Sequence, residues 1–324
     1  MGYAFCFPGQ GAQEVGMGKA LYEAFPSAKD VFDEADDALS FKITRVIFEG
    51  PDEELKRTAV TQPAVMTVSV AAARALEKEM GVKPRPLCGA GHSLGEYTAL
   101  VAAGVLSFRD AVDLVHKRGT WMQEAAPEGT GAMAALMGIE PDDAALLCAS
   151  VAPGGECQAA NFNSPGQVVI SGAAEFVEKA IAAAKEKTAK GGRSVKAVPL
   201  NVSAPFHSRL MAPAAEKLRA RFGAYKWSDP AWPIVCNVNA SPLSSAEAIR
   251  TALFEQTCSP VRWTESVARM AGGGVDLFLE LGPGEVLSGL IKRCRKGAGV
   301  LAAGTPEKLE TMAKLLLERA GEPQ

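Results

Sequence analysis

The sequence predicts an α/β fold: a mostly parallel sheet as the core, with a second, smaller βαββαβ subdomain inserted into it. Three observations predict it. Short apolar runs alternate with helix-period segments along most of the 324 residues, the order that builds parallel strands connected by helices. The stretch PLCGAGHSLGEYTALVAAG, residues 86–104, sets Gly-x-Ser-x-Gly between an apolar run and a helical segment closed by Gly104. This is the pattern of the strand–turn–helix elbow of a nucleophilic serine, against the plainer reading of a glycine-rich turn in an α/β protein. From Gly131 onward, about seventy residues follow the order strand, helix, strand, strand, helix, strand.

The chain divides as follows. Tyr3 to Phe7 is a buried strand ending in the loop Pro8-Gly9-Gln10-Gly11-Ala12-Gln13. That loop is neither a dinucleotide fingerprint nor a P-loop: Glu14 stands where the third glycine belongs, and Met17-Gly18 where Lys-Ser/Thr is required. Helical patterns occupy 16–38, 53–58 and 62–80, with Gly81 as a stop, and the next strand delivers the elbow. Ser107-x-x-Asp110 opens a further helix in the manner of a capping box. Then come strand 132–138, helix 141–151, strands 158–163 and 167–172 joined by the Asn163-Ser164-Pro165-Gly166 turn, helix 174–190 and strand 194–200. This is the ferredoxin-like supersecondary unit. Residues 130–202 are therefore expected to form a small subdomain inserted between 1–129 and 203–324, and the crevice between the two parts is the natural substrate site. A loop at 204–208 enters helix 209–223. Strand 233–239, helices 245–257 and 263–271, strand 275–281, helix 285–296, strand 299–303 and helix 306–320 complete the alternation, and 321–324 is a loose end.

Composition narrows the function. Hydrophobic residues make up 48% of the chain, enough for a substantial core. Thirty-four basic against 37 acidic residues give a net charge of −3, which offers no electrostatic case for nucleic acid as partner. The seven cysteines (Cys6, Cys88, Cys148, Cys157, Cys236, Cys258, Cys294) are dispersed without a C-x-x-C pair. Reduced thiols are expected, with no disulfide framework and no metal site. The N-terminus lacks a secretory pattern and no stretch reaches a membrane span, so the expected location is the cytoplasm.

The candidate chemistry starts at Ser93. At a helix N-terminus, unpaired N–H groups favour negative charge, and an oxyanion formed on an acyl group attacked by Ser93 would meet the Leu94 N–H. A second donor is needed from another strand–helix loop; the Gln10 N–H is proposed, against the plainer reading of a tight turn. If the elbow helix and the next pack antiparallel, each covering about 15 Å, Arg118 returns to the depth of Ser93. There it can grip a carboxylate with two parallel hydrogen bonds; a solvated arginine near a helix end is the other reading of the same spacing. The general base follows by elimination among three histidines. His92, next to the serine, should point the other way, and His116 lies roughly 200° around the helix from Arg118. His207 sits in the junction loop, where an imidazole can reach the crevice. Lys292, Arg293, Arg295 and Lys296 cluster at a helix end, serving either dipole compensation or, with Lys187, Lys190 and Arg193, contact with an acidic partner.

Taken together, FPGQGAQ at 7–13, GHSLGE at 91–96, HKRG at 116–119, NSPGQVVISG at 163–172, NVSAPFHS at 201–208, EQTCSPVRW at 255–263 and LELGPGEVLSGLI at 279–291 resemble malonyl-CoA:acyl carrier protein transacylases of fatty acid synthesis and the related acyltransferase domains of polyketide synthases. The resemblance covers nearly the whole chain in order. It implies a hydrolase-like α/β core with an inserted ferredoxin-like subdomain. It also implies Ser93 as the acylated nucleophile, His207 as its base, Leu94 and Gln10 as backbone oxyanion donors, and Arg118 as the clamp on the malonyl carboxylate. Gln256 would orient His207 through a carbonyl oxygen. Phe206 before the histidine and Leu94 in GHSLG fit malonyl selectivity, and Asn163 and Met122 would join the substrate pocket. Malonyl-CoA is then a substrate, no cofactor is held permanently, and the partner is a phosphopantetheinylated acyl carrier protein. No acid accompanies His207 in its local motif, so a Ser–His dyad is expected. Two rival readings are a serine hydrolase such as a thioesterase, which has no use for a buried guanidinium, and a non-catalytic carrier-binding subunit, which would never acylate Ser93.

Overall fold

A computed structural model describes all residues except 1, 128, 187–194, 203 and 322–324. In chain order the first part comprises β1 (Gly2–Phe7), α1 (Lys19–Ala24), α2 (Pro26–Leu39), α3 (Ile43–Glu49), α4 (Asp52–Leu55), α5 (Thr58–Lys78), β2 (Cys88–Gly91), α6 (Leu94–Ala102) and α7 (Phe108–Glu124). A second group follows with β3 (Gly131–Met137), α8 (Pro141–Val151), β4 (Cys157–Ser164), β5 (Gln167–Ala173), α9 (Ala174–Glu186) and β6 (Lys196–Pro199). The remainder is α10 (Ala212–Phe222), β7 (Ile234–Val235), β8 (Pro242–Leu243), α11 (Ala246–Gln256), α12 (Trp263–Gly272), β9 (Val275–Leu281), α13 (Val286–Cys294), β10 (Gly299–Ala303) and α14 (Pro306–Gly321).

The strands form two separate sheets. The larger has the order β10-β9-β1-β2-β7-β8 and is parallel apart from the final β7–β8 pair. The smaller, β4-β5-β3-β6, is antiparallel throughout. Each has its own apolar core: Phe5, Phe7, Leu279 and Leu281 pack with α2, α5, α6 and α7 in one, and Leu136, Leu147, Val168 and Ile170 lie in the other. The two bodies are joined by Asn161 bridging to Val261, with Phe162 N donating to Val261 O at 2.9 Å and Val261 N to Ala160 O at 2.9 Å. A third apolar group containing Met122, Met133, Ala160 and Phe206 fills the junction.

Several boundaries differ from the sequence reading, each for a local reason. The helix expected over 16–38 is two helices, because Phe25, before Pro26, adopts φ −127° and ψ 119°. The helix expected from 62 begins at Thr58 and carries Pro63 inside it. Proline removes one intrahelical donor, so the carbonyl four residues earlier loses its partner. That carbonyl, Ala59 O, instead meets His116 Nδ1 at 2.8 Å. The helix over 53–58 is a single turn, α4, and the short α3 had no separate signal. Strand 233–239 shrinks to Ile234–Val235 because the chain turns at once: Ala240 N donates to Cys236 O, and Ala240 has φ 53°. Helix 174–190 is described to Glu186; Lys187, Lys190 and Arg193 lie outside the described residues. Among the described residues no helix is long and apolar enough to cross a membrane, and all seven cysteines are free thiols.

Candidate active site

The elbow places Ser93 at the C-terminal end of β2, one residue before α6. Its backbone has φ 52° and ψ −105°, a conformation that non-glycine residues rarely hold and that tends to mark functional positions. The turn can be this tight because Gly95 has no side chain: a Cβ there would lie 2.0 Å from Phe7 O. The elbow helix therefore packs directly on the end of β1 and brings the loop after Phe7 to the serine. The first N–H groups of a helix have no intrahelical acceptor, so the Leu94 N–H is available beside Ser93. Gln10, on the loop after β1, lines the same cavity of about 120 Å³ as Ser93 and Leu94.

His207 reaches this cavity from the loop before α10. Its Nε2 is 2.7 Å from Ser93 Oγ, and its Nδ1 is 2.9 Å from the main-chain O of Gln256. A carbonyl only accepts, so Nδ1 carries the proton and Nε2 is left to accept from the serine hydroxyl. His207 also has a positive φ, 57°. Its loop is clipped by Gln158, whose Nε2 donates to His207 O at 3.2 Å while its Oε1 accepts from Arg209 N at 3.1 Å. Burial, then the Arg118 charge, push the imidazole down to about 3, against the Gln256 carbonyl, which favours the protonated form. The ring is a neutral base across the physiological range.

Arg118 projects from α7 into the same cavity, and its side chain is buried. Its Nη1 donates to Gln62 Oε1 at 2.8 Å, and its Nη2 to Gln256 Oε1 at 3.1 Å and Ser93 Oγ at 3.2 Å. The guanidinium carbon lies 5.3 Å from the centroid of the Tyr97 ring. Among the described residues Arg118 makes no ion pair, and its Nε has no hydrogen-bond partner. Burial weakens its hold on the proton. A buried cation is costly unless paired, and this one faces a cavity beside Ser93 and His207.

The other expected residues divide. Phe206 and Met122 line the cavity with Met133, Leu200 and Val202, giving an apolar floor. Asn163 does not line it: its Oδ1 pairs with His92 Nε2 at 2.8 Å, and Asn161, two residues earlier on the same strand, occupies the wall. His92 directs Nε2 toward Asn163 and its ring toward Trp263, 5.9 Å between centroids, yet it also borders the cavity, so the expectation that it turns away holds only in part. His116 lies elsewhere, against α5. Lys292, Arg293, Arg295 and Lys296 are exposed at the end of α13.

Three buried side chains were missed. Gln62 holds Arg118. Glu96, within the GHSLGE motif, accepts from Asn237 N at 2.9 Å and Gln256 Nε2 at 3.0 Å; burial raises its carboxyl above the usual range. It contacts neither His207 nor Arg118 by hydrogen bond, and the acceptor behind His207 is a neutral carbonyl. Asn237 joins this network from the turn after β7. A glutamine beside a helical proline and an asparagine in a turn carry no pattern of their own; only the Glu in GHSLGE had a motif around it.

The chain is similar to known proteins over nearly its whole length. Residues 4–309 match the acyl transferase domain family. The chain is 48% identical over 316 residues to the malonyl CoA-acyl carrier protein transacylase of Bacillus subtilis, covering 97% of each chain. It superposes with TM-score 0.93 on the acyl-carrier-protein-S-malonyltransferase of Bartonella henselae, at 45% identity and over 98% and 99% of the two chains. A malonyl-transacylase solved in complex with its type II PKS acyl-carrier protein aligns at TM-score 0.92 and 45% identity, over 97% of this chain and all of that one. Matched from β1 into α14, and similar to these relatives over their full lengths, the chain belongs to the acyl transferase family and is an acyltransferase.

Proposed function

We propose that this protein transfers the malonyl group of malonyl-CoA to the phosphopantetheine thiol of an acyl carrier protein, through a malonyl ester on Ser93. The observation that carries the reading is Arg118, a buried guanidinium without a carboxylate partner among the described residues, 3.2 Å from the Ser93 hydroxyl. A substrate that brings its own carboxylate supplies the missing charge, and the two-pronged fit of guanidinium to carboxylate orients it. The names of the relatives and the carrier-protein complex of one of them support the same reading.

The geometry supports the following sequence of events. The malonyl carboxylate docks on Arg118, which sets the thioester carbon over Ser93 Oγ. His207 Nε2 takes the serine proton as Oγ attacks, and the resulting oxyanion is held by the Leu94 and Gln10 N–H groups. The tetrahedral intermediate collapses with cleavage of the C–S bond; His207 returns the proton to the departing sulfur, and CoA leaves as a free thiol. The carrier's phosphopantetheine thiol then gives its proton to His207 and attacks the ester carbonyl. Cleavage of the Ser93 ester bond, with the proton returned to Oγ, regenerates the enzyme in a ping-pong cycle. The Gln256 carbonyl stabilises the imidazolium formed in both halves without adding a negative charge that would repel the substrate.

The remaining parts of the reading go with it. Residues 130–202 are a ferredoxin-like subdomain inserted in a hydrolase-like core of 1–129 and 203–324; the strand order β4-β5-β3-β6 and the intervening helices support this. Malonyl-CoA is a substrate rather than a resident cofactor, the enzyme works in the cytoplasm, and its product feeds fatty acid chain elongation. The test is mass spectrometry of the intact protein mixed with malonyl-CoA, followed by addition of a phosphopantetheinylated carrier protein. One malonyl mass on the Ser93 peptide, then its passage to the carrier, is the expected result, with Ser93→Ala and His207→Ala unlabelled. A wild-type protein that never gains the mass would overturn the proposal.

A further inference from the structure

The elbow is strained at Ser93. Within the motif Gly95 N donates to His92 O at 2.9 Å and Glu96 N to Ser93 O at 3.2 Å, and Gln256 Nε2 donates to Ser93 O at 3.0 Å, but none of these reaches the Ser93 N–H. What holds it comes from the turn after β7. The Asn237 side chain spans the elbow: its Oδ1 accepts from Ser93 N at 2.7 Å, and its Nδ2 donates to Gly91 O at 2.7 Å. These are the backbone groups on either side of the bend, one a donor and one an acceptor. An amide, with an acceptor and a donor on one planar head, is the side chain that satisfies both. Asn237 is itself fully buried and fixed by its own backbone, whose N–H donates to Glu96 Oε2 at 2.9 Å while its carbonyl accepts from Arg262 N at 3.0 Å. Glu96 also accepts from Gln256 Nε2. The residue that grips the nucleophile's backbone is thus tied to the residue whose carbonyl meets the base.

We propose that Asn237 is a positioning residue for acyl transfer: its amide clamps the elbow across Gly91 and Ser93, fixing the serine's backbone and leaving the Leu94 N–H as the elbow's own donor to the oxyanion, beside that of Gln10. The inference rests on the proposed serine acylation. With the Ser93 N–H consumed by Asn237, the serine's own amide is not an oxyanion donor. Loss of the clamp lets the turn relax, moving Oγ and the Leu94 N–H together relative to a thioester held independently by Arg118. The chemical step suffers and substrate affinity does not, and a displacement of about 1 Å is enough for a loss on the order of a hundredfold.

The experiment is rapid-quench mass spectrometry of malonyl transfer to Ser93 across malonyl-CoA concentrations and pH, on the wild type, Asn237→Ala and Asn237→Asp. Asn237→Ala is expected to lower the maximal acylation rate about a hundredfold, with the half-saturating concentration changed less than about threefold. Asn237→Asp supplies the reading that a merely structural role would not move. Its ionised carboxylate cannot donate to Gly91 O, but its protonated form has one acceptor and one O–H donor, like the amide. The rate of Asn237→Asp relative to wild type should therefore rise as pH is lowered from 8 to 5, while the Asn237→Ala ratio stays flat. Two outcomes overturn the inference: an Asn237→Ala enzyme within about threefold of the wild-type maximal rate, or an Asn237→Asp ratio independent of pH. If Asn237→Ala does not fold, the Asn237→Asp ratio decides alone. A wild type that is never acylated sinks the acyl-transfer reading instead, so the two failures are distinguishable.

Discussion

The Nη2 of Arg118 lies 3.2 Å from the Oγ of Ser93, although Ser93 caps the start of α6 and Arg118 lies 25 positions later on the next helix, α7. A cation this close to a nucleophile would be wasteful in a hydrolase of neutral esters, since it disfavours the imidazolium that must form on His207. It becomes useful once a substrate carboxylate covers it. Replacement of Arg118 by Ala is therefore expected to reduce kcat/KM for malonyl-CoA by a hundredfold or more, roughly the loss of a buried charge pair. Transfer of an acetyl group should change far less. Steady-state assays with the two thioesters measure the ratio; equal losses would point to a structural role for the arginine.

Gln62 is the residue that aims this guanidinium, accepting from Nη1 at 2.8 Å. Truncation to Ala removes one hydrogen bond to a charged donor, about 1.5–3 kcal/mol. The expected result is a tenfold or larger rise in KM for malonyl-CoA with kcat changed much less, because Gln62 touches neither Ser93 nor His207 by hydrogen bond. A kcat loss at unchanged KM would contradict the assignment.

The pH dependence follows from His207. In the proposed reaction its base form is the active one, and burial with the neighbouring Arg118 charge brings its titration down to about 3. An ordinary imidazole at about 6.5 would be only ~3% neutral at pH 5 and lose about thirtyfold in rate. The free enzyme's kcat/KM should instead stay within about twofold between pH 8 and 5, measured in constant-ionic-strength buffers. Arg118→Ala removes one of the three depressing influences, which are burial, the Arg118 charge and His92, so the acid limb of its profile should move to higher pH.

Gly95 is the steric hinge of the elbow. With the missing Cβ's position 2.0 Å from Phe7 O and 2.8 Å from Phe7 C, Gly95→Ala forces backbone against backbone, where no rotamer change gives relief. A destabilisation at or above the upper end of the usual ~1–3 kcal/mol for overpacking is expected. A drop in the denaturation midpoint of at least 5 °C checks this, together with loss of Ser93 acylation in whatever protein folds.

Much of this was legible beforehand. Gly-x-Ser-x-Gly located the strained turn at Ser93 because tight backbone approach demands glycine at fixed spacing. The helix lengths returned Arg118 to Ser93 because rise per residue is constant. Elimination left His207, and His116 proves to be occupied with the carbonyl that Pro63 frees. Asn163 was assigned to the pocket from its motif, and on a regular strand it would share a face with Asn161. The register shift between Phe162 and Ser164 in the β4–β5 pairing breaks that alternation, so Asn161 lines the cavity and Asn163 meets His92.

By itself, then, the sequence determined what depends on neighbours along the chain: the alternation that builds two sheets, the elbow, the cap at Ser107 and the residue types of the site. Tertiary structure alone decided what depends on neighbours in space. Asn237 meets Ser93, Gly91 and Glu96 across 144, 146 and 141 positions of sequence, and Gln62 meets Arg118 across 56. A hydrogen bond needs only two polar atoms about 3 Å apart, and such a meeting leaves no periodicity in either strand of text that supplies it; burial is what makes it obligatory once the chain has folded.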